Sequence, residues 1–138
     1  ADLCRQNIID VVQLHGDEDN DYISKVKSIT GKSVIKAVRV QSTQQILQAE
    51  ALNCDCLLLD TYKKSTYGGV GESFNWQLIP TALKKPFFLA GGLNTENVET
   101  AIKTVQPYCV DVSSGVETDG FKDEKKIRNI IEKVRRTH

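Results

Sequence analysis

Five short apolar runs, evenly spaced and never joined by a tight turn, constrain the fold of this chain more than any other feature. Val11–His15, Val34–Val40, Cys56–Asp60, Pro86–Ala90 and Cys109–Ser113 are each too short for a helix and rich in Val, Ile, Leu or Phe. Their centres, at Val12, Lys36, Leu58, Phe88 and Asp111, recur every 22 to 30 residues. Helix-like segments fill the intervals at Asp21–Ile29, Thr43–Leu52, Phe74–Leu83 and Thr95–Val105, and a last one follows at Asp123–Arg135. No connection reads as a hairpin, so the strands are expected to be parallel with helical crossovers. The pattern is a βα unit repeated five times.

Within this pattern, Phe87–Glu117 carries the most local information. An apolar run ends in Gly91-Gly92, an amphipathic helix follows, and a second run ends in Ser113-Ser114-Gly115. Val98, Ala101, Ile102 and Val105 fall at i, i+3, i+4 and i+7 and define one buried helix face. Asn94 occupies the N-cap position ahead of Thr95 and Glu96. Small residues at the ends of two neighbouring strands let backbone N–H groups approach a ligand, and phosphate suits such donors best.

The strands alternate. Val12 and Leu14 share one face and Gln13 and His15 the other; Val110 and Val112 oppose Asp111 and Ser113. Doubly wound sheets bury both strand faces, so a polar face concentrated near the strand ends fits a barrel whose upper layer borders a site. Lys36 in a central strand requires a polar interior or a partner. The fold class expected is therefore α/β, a parallel (β/α) barrel of TIM type. A flavodoxin-like open sheet has the same strand count.

Of the 138 residues, 40% are apolar and 26% charged, enough for one domain with a core. Eighteen basic side chains balance eighteen acidic ones, which removes the electrostatic case for nucleic acid or an anionic membrane. The basic residues near the end alternate with Ile127, Ile130, Ile131 and Val134 at helical spacing, as on the solvated face of an amphipathic helix. No run approaches the ~20 apolar residues of a membrane span, and the first residues lack signal-peptide architecture. Cys4, Cys54, Cys56 and Cys109 form no CxxC and have no histidine at metal-ligand spacing. Buried thiols in a reducing cytosol are the expectation.

If the strands are parallel, four polar strand ends meet on one rim: His15-Gly16, Arg39, Asp60-Thr61, and Asp111 with Ser113-Ser114. An aspartate at a strand end often caps the next helix. Asp60 instead precedes TYKKSTYGGVGESFNW, a long Gly-rich stretch of the kind that forms binding loops. There Gly68, Gly69 and Gly71 offer backbone donors or a hinge, while Phe74 and Trp76 read as core.

Seven segments in order carry a family resemblance: QLHG (Gln13–Gly16), IKAVRV (Ile35–Val40), LLLDT (Leu57–Thr61), GGVGESFNW (Gly68–Trp76), LAGGLN (Leu89–Asn94), VDVSSGVE (Val110–Glu117) and KDEKKI (Lys122–Ile127). Together they resemble the phosphoribosylanthranilate isomerase family over essentially the whole chain, VDVSSGVE being the most distinctive. The resemblance implies a (β/α)8 barrel that performs an Amadori rearrangement of N-(5-phosphoribosyl)anthranilate in tryptophan biosynthesis, without metal or cofactor. It places the general acid at Asp60, since opening the ribose ring requires a proton on the ring oxygen. Asp111 and His15 map beside the substrate, and with Arg39 on the rim and Gly71 in the loop they complete the expected substrate contacts. The phosphate falls to backbone donors at Gly91, Gly92, Ser114 and Gly115, where barrels commonly hold it.

The resemblance begins partway through the family's chain, so these strands correspond to the fourth to eighth of a barrel, a single partial domain over residues 1–138. The family's general base, a cysteine in a KxCG motif, has no counterpart here, nor does the arginine expected on an early loop. The chain alone is accordingly expected not to isomerise. Open barrel edges would invite self-association or a complementing N-terminal segment. The small-molecule partner expected is a phosphoribosyl substrate, with neither nucleic acid nor membrane. Two other readings share the same pocket: a non-catalytic phosphate-binding half-barrel serving assembly, and another phosphate-binding barrel enzyme such as a sugar-phosphate epimerase.

Overall fold

The computed structural model describes residues 1–61 and 75–137. A one-turn helix α1 (Asp2–Arg5) precedes β1 (Val11–Leu14), α2 (Asn20–Thr30), β2 (Ser33–Val40), α3 (Thr43–Glu50) and β3 (Cys56–Thr61). Then follow β4 (Phe87–Leu89), α4 (Val98–Val105), β5 (Cys109–Val110), the short strands β6 (Glu117–Thr118) and β7 (Phe121–Lys122), and α5 (Glu124–Thr137). Asp19 caps α2 by accepting from Tyr22 N at 2.8 Å, and Gly31 ends it in the left-handed region at φ 63°.

The five main strands form one parallel sheet in the order β1-β2-β3-β4-β5. Every neighbour in space is the neighbour in sequence. A flavodoxin-like sheet would have its first two strands exchanged, so that alternative is excluded.

The packing is one-sided. Leu14, Val34, Val38, Val40, Leu57, Leu59 and Leu89 meet Ile23, Ile46, Ala49 and Ala101 of the helices in the principal core. A second cluster joins Val98, Ile102, Val116 and Ile130 beneath Val110 and Val112. On the opposite face Ala37, Leu58 and Ala90 form a small cluster with Ile35 and Phe88, and among the described residues no helix residue enters it. Sequential strand order with helices on one face is the winding of a (β/α) barrel, as the alternation of polar and apolar positions predicts.

Two expectations need correction. No α-helix occupies residues 75–83; Trp76–Leu78 form one 3-10 turn, capped by Asn75 Oδ1 accepting from Gln77 N at 3.0 Å. Pro80 is the reason: it has no N–H for a helical bond and disfavours helical geometry at Ile79. Secondly, the chain does contain a hairpin. β6 and β7 pair antiparallel around Asp119 and Gly120, both at positive φ (52° and 81°). An Asp-Gly pair is a strong signal for such a two-residue turn. Lys36, which required a polar interior or a partner, has the partner: it lies on the helix side of the sheet, in register with Leu14. It is 6% exposed and pairs with Glu18 at 2.7 Å, also donating to the Gly16 carbonyl.

All four cysteines are free; Cys4 and Cys54 are buried, Cys56 and Cys109 half-buried. Burial pushes the Cys54, Cys56 and Cys109 thiols up, away from the reactive thiolate. Among the described residues, no helix is long and apolar enough to cross a membrane.

Candidate active site

The C-terminal ends of β2 to β5 surround a polar cavity of about 430 Å³. Its walls are Arg39, Asp60, Thr61, Ala90, Gly91, Gly92, Leu93, Asp111, Ser113 and Ser114. Strand register explains the set. Arg39 and Asp60 are directly paired across β2 and β3, and residues paired in register in a parallel sheet point to the same face. Asp111 follows β5, with its N–H on the Leu89 carbonyl at 2.8 Å.

Two loops supply backbone to this cavity. After β4, Gly91 and Gly92 both adopt positive φ (81° and 66°). A Cβ on Gly91 would stand 2.7 Å from Asp60 Oδ1 and 2.5 Å from Thr61 N, so the loop lies directly against the acid. Asp60 Oδ1 also accepts from Thr61 N at 2.7 Å. After β5, Ser114–Val116 form a 3-10 turn. Gly115 sits so close to the Leu93 carbonyl that any Cβ would overlap it. Only glycine lets the two loops touch.

A reciprocal cap orders the first loop. Asn94 Oδ1 accepts from Glu96 N at 2.8 Å and Asn97 N at 3.1 Å, while Asn97 Oδ1 accepts from Asn94 N at 2.9 Å. Asn97 Nδ2 also donates to the Gly92 carbonyl at 3.0 Å. This is the bonding of a capping box with asparagine in both positions, set one turn ahead of the regular helix, whose own N-cap is Asn97 and not Asn94. Among the described residues, no hydrogen bond is donated by the N–H of Gly91, Gly92, Ser113, Ser114 or Gly115. Backbone donors with no acceptor among the described residues, on two loops lining one cavity, are the kind of group that suits an anion.

The structure thus gathers Asp60, Arg39, Asp111, Gly91, Gly92 and Ser114 around one space. It does not bring His15 there. His15 and Gly16 line a neighbouring cavity of about 670 Å³, which shares only Arg39 with the first. Gly115 faces a third, of about 320 Å³, that adjoins the first through Gly92, Leu93 and Ser114. Gly71 lies outside the described residues. The sequence reading missed Leu93 and Asn97; the Asn94-x-x-Asn97 spacing was the available signal for the latter.

Fold and rim define a class: a parallel α/β protein of barrel winding, with aspartates, an arginine and glycine-rich loops at the strand ends. The chain belongs to the N-(5'-phosphoribosyl)anthranilate (PRA) isomerase family, whose model matches residues 2–133. N-(5'-phosphoribosyl)anthranilate isomerase of Lachnoclostridium phytofermentans is 46% identical, and the match covers 95% of this chain and 66% of the relative. The crystal structure of phosphoribosyl anthranilate isomerase from Thermotoga maritima superposes with a TM-score of 0.78 at 38% identity, covering 97% of this chain and 65% of that one. A second isomerase structure, solved in complex with reduced 1-(o-carboxyphenylamino)-1-deoxyribulose 5-phosphate, superposes with a TM-score of 0.70 at 31% identity, covering 97% of this chain and 63% of that one. The chain spans just under two thirds of the length of these relatives.

Proposed function

We propose that residues 1–138 are the last five βα units of an eight-stranded barrel, a single partial domain, and that the barrel isomerises N-(5-phosphoribosyl)anthranilate in the cytoplasm as a step of tryptophan biosynthesis. The observation that carries this reading is the adjacency of Asp60 to the Gly91–Gly92 and Ser113–Ser114 backbone in one cavity. A phosphate held by those N–H groups fixes the ribose at a set distance from the carboxyl group.

Asp60 acts as the general acid: it protonates the furanose ring oxygen as the C1–O bond breaks and an iminium forms between C1 and the anthranilate nitrogen. Removal of the C2 proton by a base then gives an enolamine, which tautomerises to the ketose. Asp111 and Arg39 serve the sugar hydroxyls and the anthranilate end, and His15 meets the substrate from the end of β1; a contact through Gly71 rests on the family resemblance alone.

The base is supplied from outside these residues. Among the described residues no cysteine sits on the rim: Cys4 is in α1, Cys54 precedes β3, and Cys56 and Cys109 begin their strands. The sheet ends on β1 and β5; those edges receive the complementing segment or, without it, a second copy.

The test mixes this chain with a relative's N-terminal segment carrying KxCG and follows substrate conversion. Conversion is expected only in the mixture, and Asp60→Asn is expected to lower it about 10²- to 10⁴-fold. Phosphoribosyl ligand binding with no conversion in the mixture would favour a non-catalytic half-barrel. Conversion that survives Asp60→Asn would remove Asp60 as the acid.

A further inference from the structure

The β6–β7 hairpin has no role in the site as built so far, yet one of its side chains reaches the cavity loop. The hairpin register sets Lys122 opposite Glu117. From there its ammonium donates to three acceptors: the Ser113 carbonyl at 2.9 Å, Ser113 Oγ at 3.2 Å and Glu117 Oε1 at 2.7 Å. An ammonium has three protons. All three are engaged within the protein, so Lys122 is not arranged to grip a ligand itself.

What it holds is a peptide plane. The described peptide bonds are trans, and in a planar trans peptide the carbonyl and the following N–H point in opposite directions. Fixing the Ser113 carbonyl toward Lys122 therefore turns the Ser114 N–H away from it. Ser114 lines the cavity, and its N–H donates to no group among the described residues. The Val116 N–H, at 3.3 Å from the same carbonyl, adds a second restraint. A cation on the carbonyl also polarises the amide and strengthens its N–H as a donor. The hairpin itself is secured by Lys126, which donates to the Glu117 carbonyl at 2.6 Å.

We infer that Lys122 is a positioning residue, which orients the Ser113–Ser114 peptide so that the Ser114 N–H meets a phosphate monoester in the rim cavity. This rests on the phosphate-site reading above.

The experiment titrates the 15N-labelled 138-residue chain with inorganic phosphate and follows the Gly91, Gly92 and Ser114 amide resonances. In the unaltered chain all three are expected to move together. In Lys122→Met the dissociation constant is expected to rise about tenfold, the loss of one charge-assisted contact. Ser114 should then stop responding while Gly91 and Gly92 still do, and Lys122→Arg should restore the Ser114 response. If Lys122→Met does not fold, Ser113→Ala carries the test, with a selectively weakened Ser114 response expected. A variant in which Ser114 still moves in step overturns the inference and leaves the phosphate reading standing. Uniform weakening at all three resonances assigns Lys122 a charge effect alone and overturns its positioning role. No movement in the unaltered chain overturns both readings.

Discussion

The two sides of the rim are built by different means. Around β4 and β5 the cavity is lined largely by residues with little or no side chain, Gly91, Gly92, Ser113 and Ser114, the first pair ordered by the Asn94–Asn97 box. Around β1 and β2 the rim presents side chains, Arg39 on this cavity and His15 on the neighbouring one, both exposed. Behind those two, on the helix side of the sheet, the buried Lys36–Glu18 pair ties the loop after β1 to β2. A main-chain site is specified by what is missing, a Cβ. A side-chain site is specified by what is present. The two sides should therefore answer mutation in opposite ways, one losing its fold and the other only its contacts.

The largest effect should come where two backbones touch. Gly115→Ala puts a methyl group into the Leu93 carbonyl and is expected to destabilise by about 3 kcal/mol, the upper end of overpacking costs. Urea unfolding would register it as a lower midpoint at unchanged slope. A Gly115→Ala chain as stable as the parent would break the comparison at its strongest point.

The support behind the β1–β2 side comes next. Glu18→Gln leaves the Lys36 ammonium buried without its counter-ion. We expect a cost of about 2 kcal/mol, below that of a fully enclosed pair because the Glu18 side chain retains 21% of its exposure. The double variant with Lys36→Met should cost less than that single one. The same pair sets a pH dependence. The hydrogen bond from Lys36 holds the Glu18 carboxyl below the usual glutamate value. Its stabilisation is thus fully present above that value and lost as the pH falls through the lowered one. Acid unfolding midpoints of the parent and Glu18→Gln should converge below that range; parallel curves would exclude the pair as the cause.

Smaller effects sharpen the contrast. Asn97→Ala removes one half of the capping box and the hold on the Gly92 carbonyl, for about 1 kcal/mol. His15→Ala and Arg39→Ala should change stability by less than about 0.5 kcal/mol, since both are exposed. In the completed barrel they should instead raise KM. Thermal unfolding of all three, set beside substrate titrations, tests whether the division between the two sides is real.

Much of this was legible in the chain, and the failures were local ones. The buried face Val98, Ala101, Ile102 appears as the helical period predicts. Period two counted from Val34 places Lys36 with Val38 and Val40 on the helix side, so its face was readable and its need for a partner correctly anticipated. Pro80 and Asp119-Gly120 are plain signals too, one against a helix and one for a hairpin. Neither the one-sided packing nor the Lys122–Ser113 contact has a local signature. Both depend on residues brought together by the sheet order and the hairpin register.

By itself the sequence determined the five strands, the parallel sheet, the small-residue strand ends and the family, because these rest on period, spacing and residue type. Only the tertiary structure decided which rim groups share a cavity. It set Arg39 beside Asp60 through strand register, pressed Gly91 against the acid and Gly115 against Leu93, and left His15 in a neighbouring space. The physical reason is range: propensity and periodicity act over a few residues, whereas a close contact between loops more than twenty residues apart is fixed by how strands align and helices pack.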